Sequence, residues 1–228
     1  MLVHIPRVLS SEQVSACRRV LDAAPWLDGR TSAGSTAARA KNNSEASFAD
    51  PGVAQWSEDI RRILKANRDF VTRALPARIC PPSFNRYGRG QGYGEHNDGA
   101  LMDFSRTADP LWVRSDLAAT LFLSDPADYD GGELVIADTF GEQRCKLPSG
   151  DLVLYPASSQ HKVEEVTHGT RVAAYFWIQS LVRDDTRRRI LQDMDGAISQ
   201  LTAELPEHPA PRRLLGAYHN LLRLWSET

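Results

Sequence analysis

Apolar side chains recur at Val14, Cys17, Val20 and Leu21, the spacing of one buried helix face, and Ser10 and Gln13 ahead of them have capping-box spacing. Leu2 to Val8 before that helix reads as a short strand. From Asp28 to Asp50 the residues are mostly Gly, Ser, Thr, Ala, Asn and charged, which predicts a long exposed loop with room for one short extended piece. Loops of that length are uncommon in compact domains and are often functional. Asp50-Pro51 then supplies an N-cap and a first-turn proline for a second helix with the stripe Val53, Trp56, Ile60, Ile63, Leu64 and Val71, ending near Pro76. Between about Arg78 and Ser180 the pattern changes to short apolar or alternating runs: Leu117 to Leu123, Glu133 to Ala137, Asp151 to Tyr155 and Arg171 to Ile178. Turn residues at Asp130-Gly131-Gly132 and Pro148-Ser149-Gly150-Asp151 separate them, and closely spaced strands of this kind suit a barrel or a sandwich. After Asp184-Asp185 the helical period returns on Ile190, Leu191, Met194, Ile198 and Leu201. Beyond Pro206 to Pro211 a last helix carries Leu214, Leu215, Tyr218, Leu221, Leu222 and Trp225. The expected organisation is an α+β chain in three stretches: 1–77 packing on the core, a strand-rich core over 78–180, and a helical extension over 181–228.

Composition changes this picture little. A chain of 228 residues suits one domain with a substantial core. The formal charge of -2 leaves no electrostatic footprint for nucleic acid or an anionic membrane, and Arg187-Arg188-Arg189 reads as a solvated helix face. Cys17, Cys80 and Cys145 are odd in number and widely spaced, which argues against a disulfide framework or a structural zinc site and for a reducing cytoplasm. Neither a signal peptide nor an apolar stretch long enough to span a membrane is visible.

The candidate chemistry lies in the strand-rich core. On a strand, residues two apart share a side, so His96 and Asp98 can converge on one ion while Asn97 points away. A lone His-x-Asp is weak, but Tyr87, Gly90 and Tyr93 precede it at steps of three. The third ligand must come from elsewhere. His161 is preferred over His168, which sits beside Gly169 in an expected hairpin turn, because His161 is followed by Arg171 at a spacing where an anion can bridge metal and guanidinium. His4, His208 and His219 fall outside the core and read as surface or partly buried histidines. Two His and one carboxylate on one face of a metal leave the opposite face open, the donor set of non-haem Fe(II) oxygenases. Along Arg171 to Ile178, residues 171, 173, 175 and 177 should face one way, and an inward Arg needs an anion such as a dicarboxylic oxoacid.

Taken together, Tyr87-x-x-Gly90-x-x-Tyr93-x-x-His96-x-Asp98, Asp130-Gly131-Gly132-Glu133-Leu134, His161 and Arg171 resemble the prolyl 4-hydroxylase branch of the Fe(II)/2-oxoglutarate dioxygenases. Over almost the whole chain, from the Leu-x-x-Ile-Pro-x-Val-Leu-Ser start to the helical tail, the sequence is similar to bacterial PKHD-type hydroxylases, some linked to iron uptake. The resemblance implies a double-stranded β-helix (jelly-roll) core with flanking N-terminal helices and a C-terminal helical extension. It also implies Fe(II) on His96, Asp98 and His161, 2-oxoglutarate on Arg171 with Tyr87 or Tyr93 as a further contact, O2 as cosubstrate and L-ascorbate as reductant. The implied reaction is hydroxylation of a peptide, amino acid or siderophore-like metabolite, releasing succinate and CO2. Demethylases of alkylated nucleobases are argued against, because they resemble one another in a second Arg six residues after the first, where this chain has Trp177. A zinc hydrolase would lack a use for Arg171, and a non-catalytic iron or oxoacid sensor would keep the same ligands. The expected substrate-shaping elements are the Asp28 to Asp50 loop and the Leu101 to Arg114 insertion. The tail has two readings, cover for a barrel edge or, through Leu214 to Trp225, a homodimer contact.

Overall fold

A computed structural model describes residues 2–32, 34, 37–103, 111–138 and 141–227. In chain order the first elements are β1 (Val3–Ile5), α1 (Ser11–Ala23), β2 (Trp26–Asp28), α2 (Ala37–Ala40), β3 (Lys41–Asn42), β4 (Ser44–Ala46), α3 (Pro51–Ala66) and α4 (Arg68–Ala74). Strands β5 (Pro76–Ile79), β6 (Ser83–Tyr87), β7 (Gln91–His96), β8 (Leu101–Asp103), β9 (Trp112–Arg114) and β10 (Leu117–Phe122) follow. Then come β11 (Tyr129–Gly131), β12 (Leu134–Asp138), β13 (Gly141–Cys145), β14 (Leu152–Pro156), β15 (His161–Gly169) and β16 (Arg171–Ser180), and the chain closes with α5 (Asp185–Glu204) and α6 (Pro209–Trp225).

All strands but β8 and β9, which pair with each other, form two antiparallel sheets, in the order β1-β14-β10-β16-β6-β4-β2 with β5 beside β16, and β13-β12-β15-β7-β3 with β11 beside β15. Strand β16 shows how the alternation divides the molecule. Val172, Ala174, Phe176 and Ile178 join a cluster with Val14, Leu21, Val53, Ile60 and Phe70 of the N-terminal helices. Arg171, Tyr175 and Trp177 line the cavity on the opposite face, so the predicted shared side of 171, 175 and 177 is found. A second apolar cluster closes the space between the sheets, with Ala118, Phe122, Val153 and Tyr155 from one and Leu134, Ile136, Val163 and Val166 from the other. This is the expected double-stranded β-helix, flanked by N-terminal helices and followed by two C-terminal helices.

Several expectations need correction. The capping box holds, with the Ser10 side chain accepting from Gln13 N. The second helix, however, is two. Asn67 ends α3 and caps α4 through its side chain, which accepts from Phe70 N at 2.9 Å. The stretch from Asp28 to Asp50 is not a loose loop: β3 adds to β7 and β4 adds to β6, so it stitches the edges of both sheets. The first strand is shorter than Leu2 to Val8. Arg188 is not on a solvated face. It is 2% exposed, and its Nη1 donates to the carbonyls of Val182 and Arg183. The tail packs through Leu191, Ile198 and Tyr218 on Leu75 and Val182, at the junction of α4 with the end of β16 rather than along an edge strand. The Leu101 to Arg114 insertion forms the β8–β9 hairpin, and its residues 104–110 lie outside the described residues.

Candidate metal and oxoacid site

Pairing of β7 with β15 sets His96 directly opposite His161. Their ring centroids are 4.2 Å apart, and Asp98 Oδ1 lies 3.8 Å from His161 Nε2. Donor atoms of His96, Asp98 and His161 all fall within 4.8 Å of one another. That is too open for direct hydrogen bonding and close enough for one ion to collect all three. The expected strand spacing is met at a strand end: His96 is the last residue of β7, and Asp98 stands two residues beyond it. Asn97 pins this exit by donating from Nδ2 to the Ser158 carbonyl at 2.8 Å.

Backbone carbonyls decide which imidazole nitrogen is offered. His96 Nδ1 lies 2.8 Å from the Gly94 carbonyl and His161 Nδ1 3.0 Å from that of Ser159. A carbonyl only accepts, so each Nδ1 carries the proton and each Nε2 keeps a lone pair for a metal. Burial pushes both imidazoles down, His96 to about 4 with His161 adding to the effect. Burial raises the Asp98 carboxyl, while Trp177 and the His96 charge pull it back. Tyr93 stacks on His96 with centroids 3.7 Å apart, and the Tyr155 ring stands edge-on to His161. His168 is exposed, paired across from Asp130, so it does not reach this cluster.

Arg171 opens β16 opposite Tyr87 on β6. It is 1% exposed, with its guanidinium 5.3 Å from the Tyr87 ring centroid and 5.4 Å from that of Phe122. Among the described residues its Nε and Nη1 have no hydrogen-bond partner. A buried cation with open donors calls for an anionic ligand, and 2-oxoglutarate fits that demand. Metal donors, Arg171, Tyr87 and Tyr93 line one cavity of about 700 Å³. Tyr175 also lines it, on the side that the strand alternation predicts, together with Lys41, Glu45, Asn85 and Thr120, which the sequence did not single out. The alternation along β16 was the available signal for Tyr175, whereas Lys41 and Glu45 carried none.

Fold and donor set define an Fe(II)- and 2-oxoglutarate-dependent oxygenase, and residues 82–179 match the 2OG-Fe(II) oxygenase superfamily. Residues 185–227 match the PKHD-type hydroxylase C-terminal domain. A PKHD-type hydroxylase of Parvibaculum lavamentivorans is 47% identical over the whole of both chains. PKHD-type hydroxylase xcc-b100_1388 of Xanthomonas campestris pv. campestris is 52% identical, again over the whole of both. The crystal structure of a Pseudomonas putida prolyl-4-hydroxylase shares the fold at a TM-score of 0.53 and 19% identity, covering 78% of this chain and 92% of that one. This chain belongs to the PKHD-type hydroxylase family, and it is an iron- and 2-oxoglutarate-dependent hydroxylase.

Proposed function

We propose that His96, Asp98 and His161 hold Fe(II), that Arg171 takes the distal carboxylate of 2-oxoglutarate, and that the rest of the cavity admits a small molecule or peptide side chain for hydroxylation. The observation that carries this reading is Arg171, a buried guanidinium that opens into the same cavity as three converged metal donors and has no acidic partner among the described residues. Leaving such a charge unpaired is costly, so a dicarboxylate between metal and guanidinium answers both ends at once. When bound, iron and 2-oxoglutarate supply oxidation of a C–H bond by O2, with succinate and CO2 as co-products.

The chain's own residues bind, orient and shield. His96 and His161 present unprotonated Nε2 atoms at neutral pH because burial holds their pKa values down. Burial pushes the Tyr87 phenol up to about 12, so it stays protonated and can donate to an oxoacid oxygen. Tyr93, also pushed up to about 12, holds the His96 ring by stacking and offers a second hydroxyl. None of these residues is required as a general base. Anaerobic addition of Fe(II) and 2-oxoglutarate should give a weak visible charge-transfer band, and O2 should then yield succinate. Absence of both would overturn the reading.

A further inference from the structure

The cavity has a second charged wall, built by the stretch that stitches the two sheets. In register, Lys41 on β3 lies opposite Tyr93 and Glu45 on β4 opposite Asn85. Both side chains line the cavity and are nearly buried, at 7% and 15% exposure. Lys41 Nζ lies 2.5 Å from Glu45 Oε1 and 2.9 Å from Ser32 Oγ, and the Tyr175 hydroxyl donates to the same Oε1 at 2.6 Å. The ammonium also sits 5.6 Å from the Tyr93 ring centroid and 5.9 Å from that of Tyr175. An ammonium has three donors and a carboxylate two acceptor oxygens. Among the described residues, one N–H of Lys41 and Glu45 Oε2 therefore have no partner.

A simple clasp between the sheets would explain the ion pair. It would not explain why two charges, costly to remove from water, keep an open donor and an open acceptor on a cavity. We propose that Lys41 and Glu45 anchor the substrate, and that the substrate carries a carboxylate beside an ammonium, as a free amino acid does. This rests on the oxygenase reading above, which assigns Arg171 and the metal donors to the oxoacid. With the two charges 2.5 Å apart, an incoming ion meets a dipole rather than a net charge, so a lone anion or lone cation gains little. A zwitterion matches it twice: its carboxylate accepts from Lys41 and its ammonium donates to Glu45 Oε2. A volume of about 700 Å³ is ample for a five-carbon oxoacid and a second small molecule, and Phe48 and Met102 add apolar wall for a side chain.

The test is calorimetric titration of the anaerobic Fe(II)- and 2-oxoglutarate-loaded protein with the twenty L-amino acids, alongside their N-acetyl and methyl-ester forms. At least one amino acid should bind and, once O2 is admitted, stimulate succinate release, with its N-acetyl and ester forms at least tenfold weaker. Lys41→Met and the near-isosteric Glu45→Gln should each weaken the amino acid at least tenfold and shift 2-oxoglutarate affinity less than twofold. Equal binding of the blocked forms, or no amino acid bound by wild-type protein that does bind 2-oxoglutarate, would overturn the zwitterion subsite and leave the hydroxylase reading standing. Loss of 2-oxoglutarate in Lys41→Met would move Lys41 to the oxoacid and overturn it as well. Failure of wild-type protein to bind 2-oxoglutarate would overturn the oxygenase reading and this proposal together.

Discussion

Arg171 is buried between two aromatic rings, lines the cavity and leaves Nε and Nη1 without a partner among the described residues, so its removal should be felt by the oxoacid and not by the metal. Arg171→Ala should weaken 2-oxoglutarate more than tenfold, about 2 kcal/mol for a charge-assisted pair. Mn(II) affinity, measured by calorimetry without oxoacid, should stay within twofold, and an unchanged 2-oxoglutarate affinity would reject the role. Metal binding should also carry a particular pH dependence. An exposed imidazole takes up a proton near its ordinary value of about 6.5 and then competes with metal. Here burial pushes both rings down, His96 to about 4, so neither needs deprotonating at neutral pH. Mn(II) affinity should be flat from pH 8 to 6.5 and break only below that, where the two imidazoles and the raised Asp98 carboxyl begin to take up protons. A break at 6.5 itself would show that the rings are solvated. At this scale the metal donors and Arg171 were legible because each sits in a pattern with a mechanical meaning, two-residue spacing or strand alternation. Lys41 and Glu45 were not, because nothing local brings Glu45 to Tyr175, 130 positions along the chain.

Turns and caps that hold these elements in register have their own consequences. Gly169 joins β15 to β16 with φ +72°, and a Cβ there would lie 2.0 Å from the Asp128 carbonyl oxygen. Gly169→Ala combines a left-handed backbone cost of about 1–2 kcal/mol with a clash against main chain that cannot simply rotate away. Urea denaturation should show a loss of at least about 2 kcal/mol, and an unmoved midpoint would contradict the geometry. The same residue type explains what could be read early, since Gly131, Gly150 and Gly169, each at positive φ, all sit at turns between strands. The break between α3 and α4 was hidden by its own packing. Val53, Ile60, Leu64 and Phe70 all join one cluster, so the apolar stripe runs on while the backbone does not. Asn67→Ala should cost about 1 kcal/mol, the usual worth of such a cap, read from the same denaturation curves.

Across the whole molecule β16 carries three jobs: its inner face holds Arg171 and Trp177, its outer face packs on the N-terminal helices, and beyond its end the chain turns into the helical tail. Nothing in a run of three arginines distinguishes the one that turns inward, so Arg188 was illegible until Val182 and α4 stood beside it. Its Nη1 satisfies the carbonyls of Val182 and Arg183, and Nη2 pairs with Asp185 at 3.0 Å, which ties the first turn of α5 to the strand's exit. Arg188→Ala leaves a buried carbonyl without its donor and empties the space the side chain filled, a loss of about 2–3 kcal/mol. For a chain of this size that is a fall of several degrees in Tm. The cluster around Leu75, Val182, Leu191 and Tyr218 is separate from the one between the sheets, so the metal donors should not move. Differential scanning calorimetry with and without Mn(II) separates the two effects. The variant should melt earlier in both conditions while keeping the full metal-induced rise in Tm; a lost metal response would mean that the tail reaches the site, and an unchanged Tm that Arg188 does not hold the tail.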